Sequence, residues 1–233
     1  MRIYLIRHAD PDYAVDGITN EGELEAAALA ERMAAAELTH LYVSPLGRAR
    51  ATMAPIEAAT GMQAEVLPWT TEWGHLRLDT QHGKRCIWDL DGEDLRSGVL
   101  AENPLGWRSI PPLNNAELHT SYDEMVAGSD ALTAKHGYRR VDARYAVAAP
   151  NQDRIAVVCH GGFGLSWLAH LLGIPLPIMW SSYWLAPTSV SLVLLDQRSD
   201  EWAVPRALCI GETSHLYADG RRPLPRGIKA NYY

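Results

Sequence analysis

Short apolar runs alternate along the chain with longer stretches of helical period. Residues 2–6 (Arg2-Ile3-Tyr4-Leu5-Ile6) form an apolar run of strand length. Residues 19–36 carry Ala26, Leu29, Ala30 and Met33 at the i, i+3, i+4, i+7 spacing of a buried helix face. Thr19 stands at the N-cap, and Glu21, Glu23 and Glu25 follow where the helix dipole favours anions. His40 to Val43 predicts a second strand. A helix then runs from about Gly47 to Thr60 and is closed by Gly61, with Pro55 inside it predicting a kink or a late start. Ala64 to Leu67 predicts a third strand. Residues 121–147 read as helical, weakened by Gly128 and Gly137. Arg154 to Cys159 predicts an apolar strand, followed by a glycine turn and a helix to Leu172. Val190 to Leu195 and Trp202 to Ile210 predict the last strands. Strands alternating with helices predict an α/β sandwich around a mainly parallel sheet. Residues 69–120 lack any clean period and hold four of the eight tryptophans, which predicts an irregular insert or lid rather than a second domain.

At 233 residues the chain is long enough for one large domain (1–233) carrying that insert and burying a core without staples. Hydrophobic residues at 47% and charged residues at 21% are ordinary for a globular protein and wrong for a disordered one. The net charge of −7 leaves no basic excess for phosphate neutralisation, so nucleic acid is not an expected partner. Cys86, Cys159 and Cys209 are widely separated, which supports neither a disulfide framework nor a thiolate zinc site. The opening apolar run meets a charge at Arg7, too soon for a signal peptide, and Phe163 to Trp180 is broken by His170, Gly173, Pro175 and Pro177. The expectation is therefore a cytoplasmic protein with no membrane partner.

Ligands of open α/β sheets bind at the carboxyl ends of the strands. The first strand ends in Leu5-Ile6-Arg7-His8-Ala9-Asp10, and the later one in Val157-Val158-Cys159-His160-Gly161-Gly162. A third strand end, Ser44-Pro45-Leu46-Gly47-Arg48-Ala49-Arg50, delivers arginine to a helix start. Arginine offers a planar fork that matches phosphate oxygens. A neutral imidazole can attack phosphorus, and a second can donate to its equatorial oxygens. An acid must protonate the leaving oxygen; Glu72, after the third strand, is the candidate.

These segments resemble the histidine phosphatase superfamily, the phosphoglycerate mutase-like proteins. Leu5-Ile6-Arg7-His8 is similar to its opening RH motif, and Ile18-Thr19-Asn20-Glu21-Gly22-Glu23-Leu24-Glu25-Ala26 to its LTxxGxxQA helix start. Ser44-Pro45-Leu46-Gly47-Arg48-Ala49-Arg50-Ala51-Thr52 resembles its SPxxRAxxT segment, and Val157 to Gly162 its second-histidine strand end. The resemblance implies a three-layer α/β/α sandwich. It implies that His8 is the phosphorylated nucleophile, that Arg7, Arg48 and His160 complete the phosphate pocket, and that Glu72 is the acid. The motif register selects Arg48 over Arg50. Helix starts near Arg48 and Gly161 are expected to add backbone donors. The arginines and imidazoles supply the positive charge, so no metal or other cofactor is expected.

The expected activity is thus hydrolysis of phosphomonoesters through a phosphohistidine, on a phosphorylated small molecule. Two alternatives stand beside it: a cofactor-dependent phosphoglycerate mutase, and a non-catalytic phosphate-binding module on the same scaffold. The mutase features Ser-x-x-Asn and Phe-Thr-Gly-Trp are absent after the first motif, where the chain reads Asp10-Pro11-Asp12-Tyr13-Ala14-Val15-Asp16-Gly17, and this favours a phosphatase. The acids there do not make a calcium loop, because Ala14 and Val15 occupy positions that need a ligand and a glycine. Gly161, Gly162 and Gly164 do not make a dinucleotide motif, because Trp167 takes the third glycine position. Cys159 reads as a buried strand residue, and Trp69, Trp73, Trp88 and Trp107 read first as core. His75, Arg77, His82, Lys84, Arg85 and His215 are candidate secondary contacts to an anion. His215 stands out, because a helix-free tail can fold back over the site.

Overall fold

The computed structural model describes residues 1–81 and 83–228; His82 and residues 229–233 lie outside the described residues. In chain order the elements are β1 (Arg2–Arg7), β2 (Pro11–Asp12), β3 (Gly17–Ile18), α1 (Asn20–Ala35), β4 (His40–Val43), α2 (Gly47–Thr60) and β5 (Glu65–Val66). Then come β6 (Arg77–Thr80), β7 (Gly83–Cys86), α3 (Gly92–Leu95), α4 (Gly98–Glu102), α5 (Ala116–Lys135), β8 (Tyr138–Val141) and β9 (Arg144–Val147). The chain closes with β10 (Arg154–Cys159), α6 (Gly161–Leu172), α7 (Leu176–Ser182), β11 (Val190–Gln197), β12 (Trp202–Glu212) and α8 (Ser214–Ala218).

One eight-stranded sheet runs in the order β5-β4-β10-β1-β11-β12-β9-β8. Strands β5, β4, β10 and β1 are mutually parallel, and β11 turns the rest of the sheet antiparallel. The parallel strands are apolar on both faces because helices cover both. On β10, Ile155, Val157 and Cys159 join one core with Phe163, Trp167 and Met125, while Ala156 and Val158 join a second core with Leu29, Met33, Met53 and Ile56. The two cores are the two faces of the sheet, so α1 and α2 form one outer layer and α5 and α6 belong to the other.

The expected caps are present. The Thr19 hydroxyl accepts from Gly22 N at 3.0 Å, and Gly61 ends α2 at φ 70°. Pro55 is carried inside α2. The helix expected over 121–147 is different. It starts earlier, at Ala116, and stops at Lys135, and the remainder is the β8–β9 hairpin. Gly137 adopts φ 83°, and a Cβ there would stand 2.6 Å from the Ala149 carbonyl oxygen, so a glycine lets the chain leave the helix at that point.

Residues 69–120 are short elements folded around their own apolar side chains. Trp73, Leu76, Ile87, Leu95, Leu100, Trp107 and Leu113 are buried and continuous with the core that holds Phe163. Trp73 and Trp107 are core as expected, and Trp69 packs edge-on against Trp167 with ring centroids 5.1 Å apart. Among the described residues no helix is long and apolar enough to cross a membrane.

Candidate active site

Strand register brings the two histidines together. β1 and β10 pair in parallel with Arg7 opposite Cys159. The ladder continues one step, His8 N donating to Cys159 O at 2.9 Å, so His8 and His160 leave neighbouring strands at the same level. Their ring centroids are 5.2 Å apart and the planes are tilted by 59°. On the other side of β10, Ser44 N donates to Val158 O, which sets the Ser44 hydroxyl 2.7 Å from His160 Nε2.

His8 is oriented by its own neighbour. Its Nδ1 lies 2.7 Å from the Ala9 carbonyl oxygen. A carbonyl only accepts, so Nδ1 carries the proton and Nε2 the lone pair. Burial, then the Arg7 guanidinium, with Arg48 adding to them, hold the His8 imidazole well below its ordinary value. Burial does the same to His160, helped by His8, Arg48 and Arg7. Both rings are therefore neutral near neutral pH. The Ala9 N–H, which donates to Thr52 Oγ1 of α2 at 2.9 Å, fixes the peptide that follows the nucleophile candidate.

Arg7, His8, Arg48 and Glu72 share one wall of a cavity of about 790 Å³. His160 is wholly buried, at 0% exposure, and contacts this group through its ring rather than by lining the cavity. Arg7 Nη1 donates to the carbonyls of Leu185 and Arg226. Arg48 Nη1 pairs with Asp16 Oδ1 at 2.5 Å, and its guanidinium lies 5.4 Å from the Tyr13 ring centroid. Three buried nitrogens, Arg7 Nε, Arg48 Nε and His160 Nδ1, have no hydrogen-bond partner among the described residues. Buried polar groups are normally satisfied, and a bound oxyanion satisfies donors of this kind. Arg50, the rejected alternative to Arg48, is exposed on α2.

Glu72 sits on the segment after the 3₁₀ turn Pro68–Thr70. Its carboxyl accepts from Trp73 N at 3.0 Å, Gly162 N at 3.0 Å and Phe163 N at 2.8 Å. These donors favour the carboxylate, yet burial outweighs them and pushes its pKa up. The backbone donors expected at the helix starts are therefore largely committed to protein. Gly162 and Phe163 at the start of α6 serve Glu72, and Gly47 N at the start of α2 donates to Asp16 Oδ2 at 2.6 Å.

Several residues of the site carry no local signal in the sequence. Asp16, at φ 49°, anchors Arg48 and caps α2, and a Cβ on Gly47 would stand 2.2 Å from the Asp16 carbonyl oxygen. Only Gly47, one residue before the motif arginine, hints at that approach. The tail does return over the site, through Arg226 rather than His215. Arg226 binds Asp10 and lines the cavity with Gly227 and Ile228. His215 lies in the short helix α8 and is buried between Thr188 Oγ1 at 3.1 Å and Arg32 at 3.2 Å. Of the other candidate contacts, Arg77 lines the cavity, whereas Arg85 faces Asp91 at 3.5 Å, and His75 and Lys84 are exposed.

Comparison with known proteins identifies one family. Residues 3–87 and 117–207 match the family model of the histidine phosphatase superfamily (branch 1). The probable phosphoglycerate mutase GpmB of Salmonella choleraesuis (strain SC-B67) is 21% identical over 237 residues, covering 97% of this chain and 100% of that protein. Among solved structures, the phosphoserine phosphatase of Entamoeba histolytica in complex with 3-phosphoglyceric acid has a TM-score of 0.63 at 16% identity, covering 92% of this chain and 98% of that one. A mycobacterial glucosyl-3-phosphoglycerate phosphatase has a TM-score of 0.56 at 19% identity, covering 89% and 97%. The family match skips residues 88–116, the middle of the segment that folds around its own apolar side chains.

Proposed function

The chain belongs to the histidine phosphatase superfamily (branch 1), and on that premise we propose that it is a phosphomonoester hydrolase working through phosphohistidine on His8. The observation that carries the reading is the tautomer of His8. Its Nδ1–H is committed to Ala9 O at 2.7 Å, and the lone pair on Nε2 belongs to a ring lining the same cavity as Arg7, Arg48 and Glu72.

The substrate phosphoryl group binds Arg7 and Arg48. With the Ser44 hydroxyl as donor to His160 Nε2, 2.7 Å away, His160 holds its proton on Nδ1, which is buried behind the cavity wall and must be uncovered as substrate enters before it donates to an equatorial oxygen. His8 Nε2 attacks phosphorus in line, forming a P–N bond as the ester P–O bond breaks. Glu72, whose pKa burial raises, gives its proton to the leaving alkoxide. Water then attacks the phosphohistidine. Its proton passes to the Glu72 carboxylate, the P–N bond breaks, and inorganic phosphate leaves with His8 neutral again. Charge on the transferring group is spread over its oxygens, so positioning and fixed positive charge carry most of the rate. The relatives named above act on phosphorylated small molecules by their names, which supports the same substrate class here.

Brief incubation of the wild-type chain with a ³²P-labelled phosphomonoester, followed by alkaline quench, tests this reading. An alkali-stable, acid-labile label on His8 is expected, absent from His8→Ala, together with release of inorganic phosphate in water. Undiminished hydrolysis by His8→Ala overturns it. Return of the phosphoryl group to a second hydroxyl in place of water assigns the chain to the mutases.

A further inference from the structure

Beyond the oxyanion wall, the cavity is built from indoles. Trp88 comes from the 3₁₀ turn Ile87–Asp89, Trp180 from α7, and Trp184 from the segment after it, with Leu90, Leu165 and Leu185 between them. Taking the phosphatase reading as its basis, we infer that the substrates are phosphomonoesters whose alcohol carries a flat, uncharged aromatic group, held between the indoles of Trp88, Trp180 and Trp184.

The volume is the first reason. A cavity of about 790 Å³ is the size that encloses drug-sized ligands. A phosphorylated three-carbon acid bound at Arg7 and Arg48 would leave most of it unfilled.

The second reason is how firmly the walls are set. Trp180 Nε1 donates to Ser166 Oγ at 3.0 Å, and Trp184 Nε1 donates to the Arg226 carbonyl at 3.0 Å. Both indoles have their polar atom committed to protein, which leaves them carbon surface to offer. The end of α7 is tied to the insert, since Arg96 donates to the hydroxyls of Ser181 and Ser182. Trp88 lies against the start of α6: a Cβ on Gly162 would stand 2.4 Å from the indole Cγ and Cδ2. A glycine is needed there for the ring to settle at that depth. Pre-set aromatic walls lose little side-chain entropy when a ligand enters, and ring-on-ring contact gains beyond the area buried.

The third reason is the donor that remains. Trp88 Nε1 is buried and has no partner among the described residues. Closed to solvent here, this nitrogen serves an acceptor atom of the ligand only where the indole shifts as the ligand enters. Arginine side chains of the same cavity, Arg77 among them, argue against a cationic group.

Non-hydrolysable phosphonates separate binding from chemistry. The full chain is titrated calorimetrically with ethylphosphonate, hexylphosphonate and 2-(1-naphthyl)ethylphosphonate, which share the anionic head. The naphthyl compound is expected to bind at least tenfold tighter than the hexyl one, and Trp88→Leu is expected to shrink that ratio. A wild-type ratio below tenfold overturns the inference, and does so whether or not the variant folds. An undiminished ratio in folded Trp88→Leu overturns the part given to Trp88. Turnover of the matching phosphate esters, all with primary alkoxide leaving groups, reports separately on the phosphatase reading. Hydrolysis without aromatic preference ends the inference alone. Aromatic preference among the phosphonates without any hydrolysis ends the phosphatase reading alone.

Discussion

Arg226 clasps Asp10 with two nitrogens, Nε on Oδ1 at 2.5 Å and Nη2 on Oδ2 at 3.1 Å, joining the tail to the segment that follows His8. The carboxylate is almost wholly buried, while the arginine side chain is 55% exposed. Solvent screening limits the pair to about 1 kcal/mol. Arg226→Ala is therefore expected to lower the melting temperature by only a few degrees. The Arg226 carbonyl also receives Arg7 and Trp184, so the tail itself should loosen. Faster tryptic cleavage after Arg221 is the expected readout, since Pro223 protects the bond after Arg222, and unchanged cleavage after Arg221 refutes the clasp.

Under the proposed mechanism, Glu72 is expected to set the alkaline limb of the rate profile. Its pKa is raised by burial, and it works as an acid only while protonated, so kcat should fall as pH rises through that raised value. Glu72→Gln keeps an oxygen for the backbone donors but has no proton to give. A loss of about 10²–10⁴-fold is expected on alkyl phosphates, and a much smaller one on p-nitrophenyl phosphate, whose leaving group needs no acid. Equal losses on both would remove Glu72 from the acid role.

Glu25 titrates under the site. Its Oε2 accepts from Asp10 N at 2.8 Å, while Oε1 is buried without a partner among the described residues. Burial raises its pKa from 4.5 to about 7. The folded state thus holds a proton that the unfolded state releases, and this stability is complete below pH 4.5 and lost as pH rises through about 7. Glu25→Gln should escape that loss, gaining on the wild type between pH 5 and pH 8 in thermal melts. A constant gap across that range counts against a buried, protonated Glu25.

His8 and His160 act in the opposite direction. Both are held well below the ordinary histidine value of 6.5, so their contribution is present above 6.5 and is lost as pH falls and the unfolded chain takes up protons. His8→Asn is expected to flatten the loss of stability on the acid side of pH 6.5, measured by urea unfolding. An acid limb as steep as that of the wild type would show that His8 is not buried in its neutral form.

Gly162 has no room for a side chain, because Trp88 fills it. Gly162→Ala is expected to cost about 1–3 kcal/mol, as overpacked sites do, and to change the near-ultraviolet circular dichroism as the indole shifts. A variant with wild-type stability and spectrum would mean that Trp88 does not rest on α6.

Arg7, His8, Arg48 and His160 were legible in the sequence because each sits at or just beyond a strand end, and parallel strands in one sheet align their ends by hydrogen-bond register. The helix faces of α1 and α2 were legible from period and caps, both local. The β8–β9 hairpin was not, because Tyr138 to Val147 carries arginines at positions that helix and strand accept alike, and only the turn at Gly137 separates them. Asp16, Ser44 and Arg226 were not legible for another reason. Their roles arise from contacts between segments far apart in the chain, such as Arg226 with Asp10, and no spacing rule encodes such a meeting. His215 shows the converse: a histidine in a returning tail drew attention, but its position was decided by Thr188 and Arg32.

The pairing of β1 with β10 has a bearing on how this molecule can diversify. The two imidazoles are aligned by the register of β1, β10 and β4, with the Ser44 hydroxyl against His160, and none of these supports comes from residues 88–116, so that segment can differ in length without disturbing their alignment. Transplanting residues 88–116 from another such protein would then change which compounds are accepted while leaving the bond-breaking step intact, much as a tool keeps its handle when the bit is exchanged.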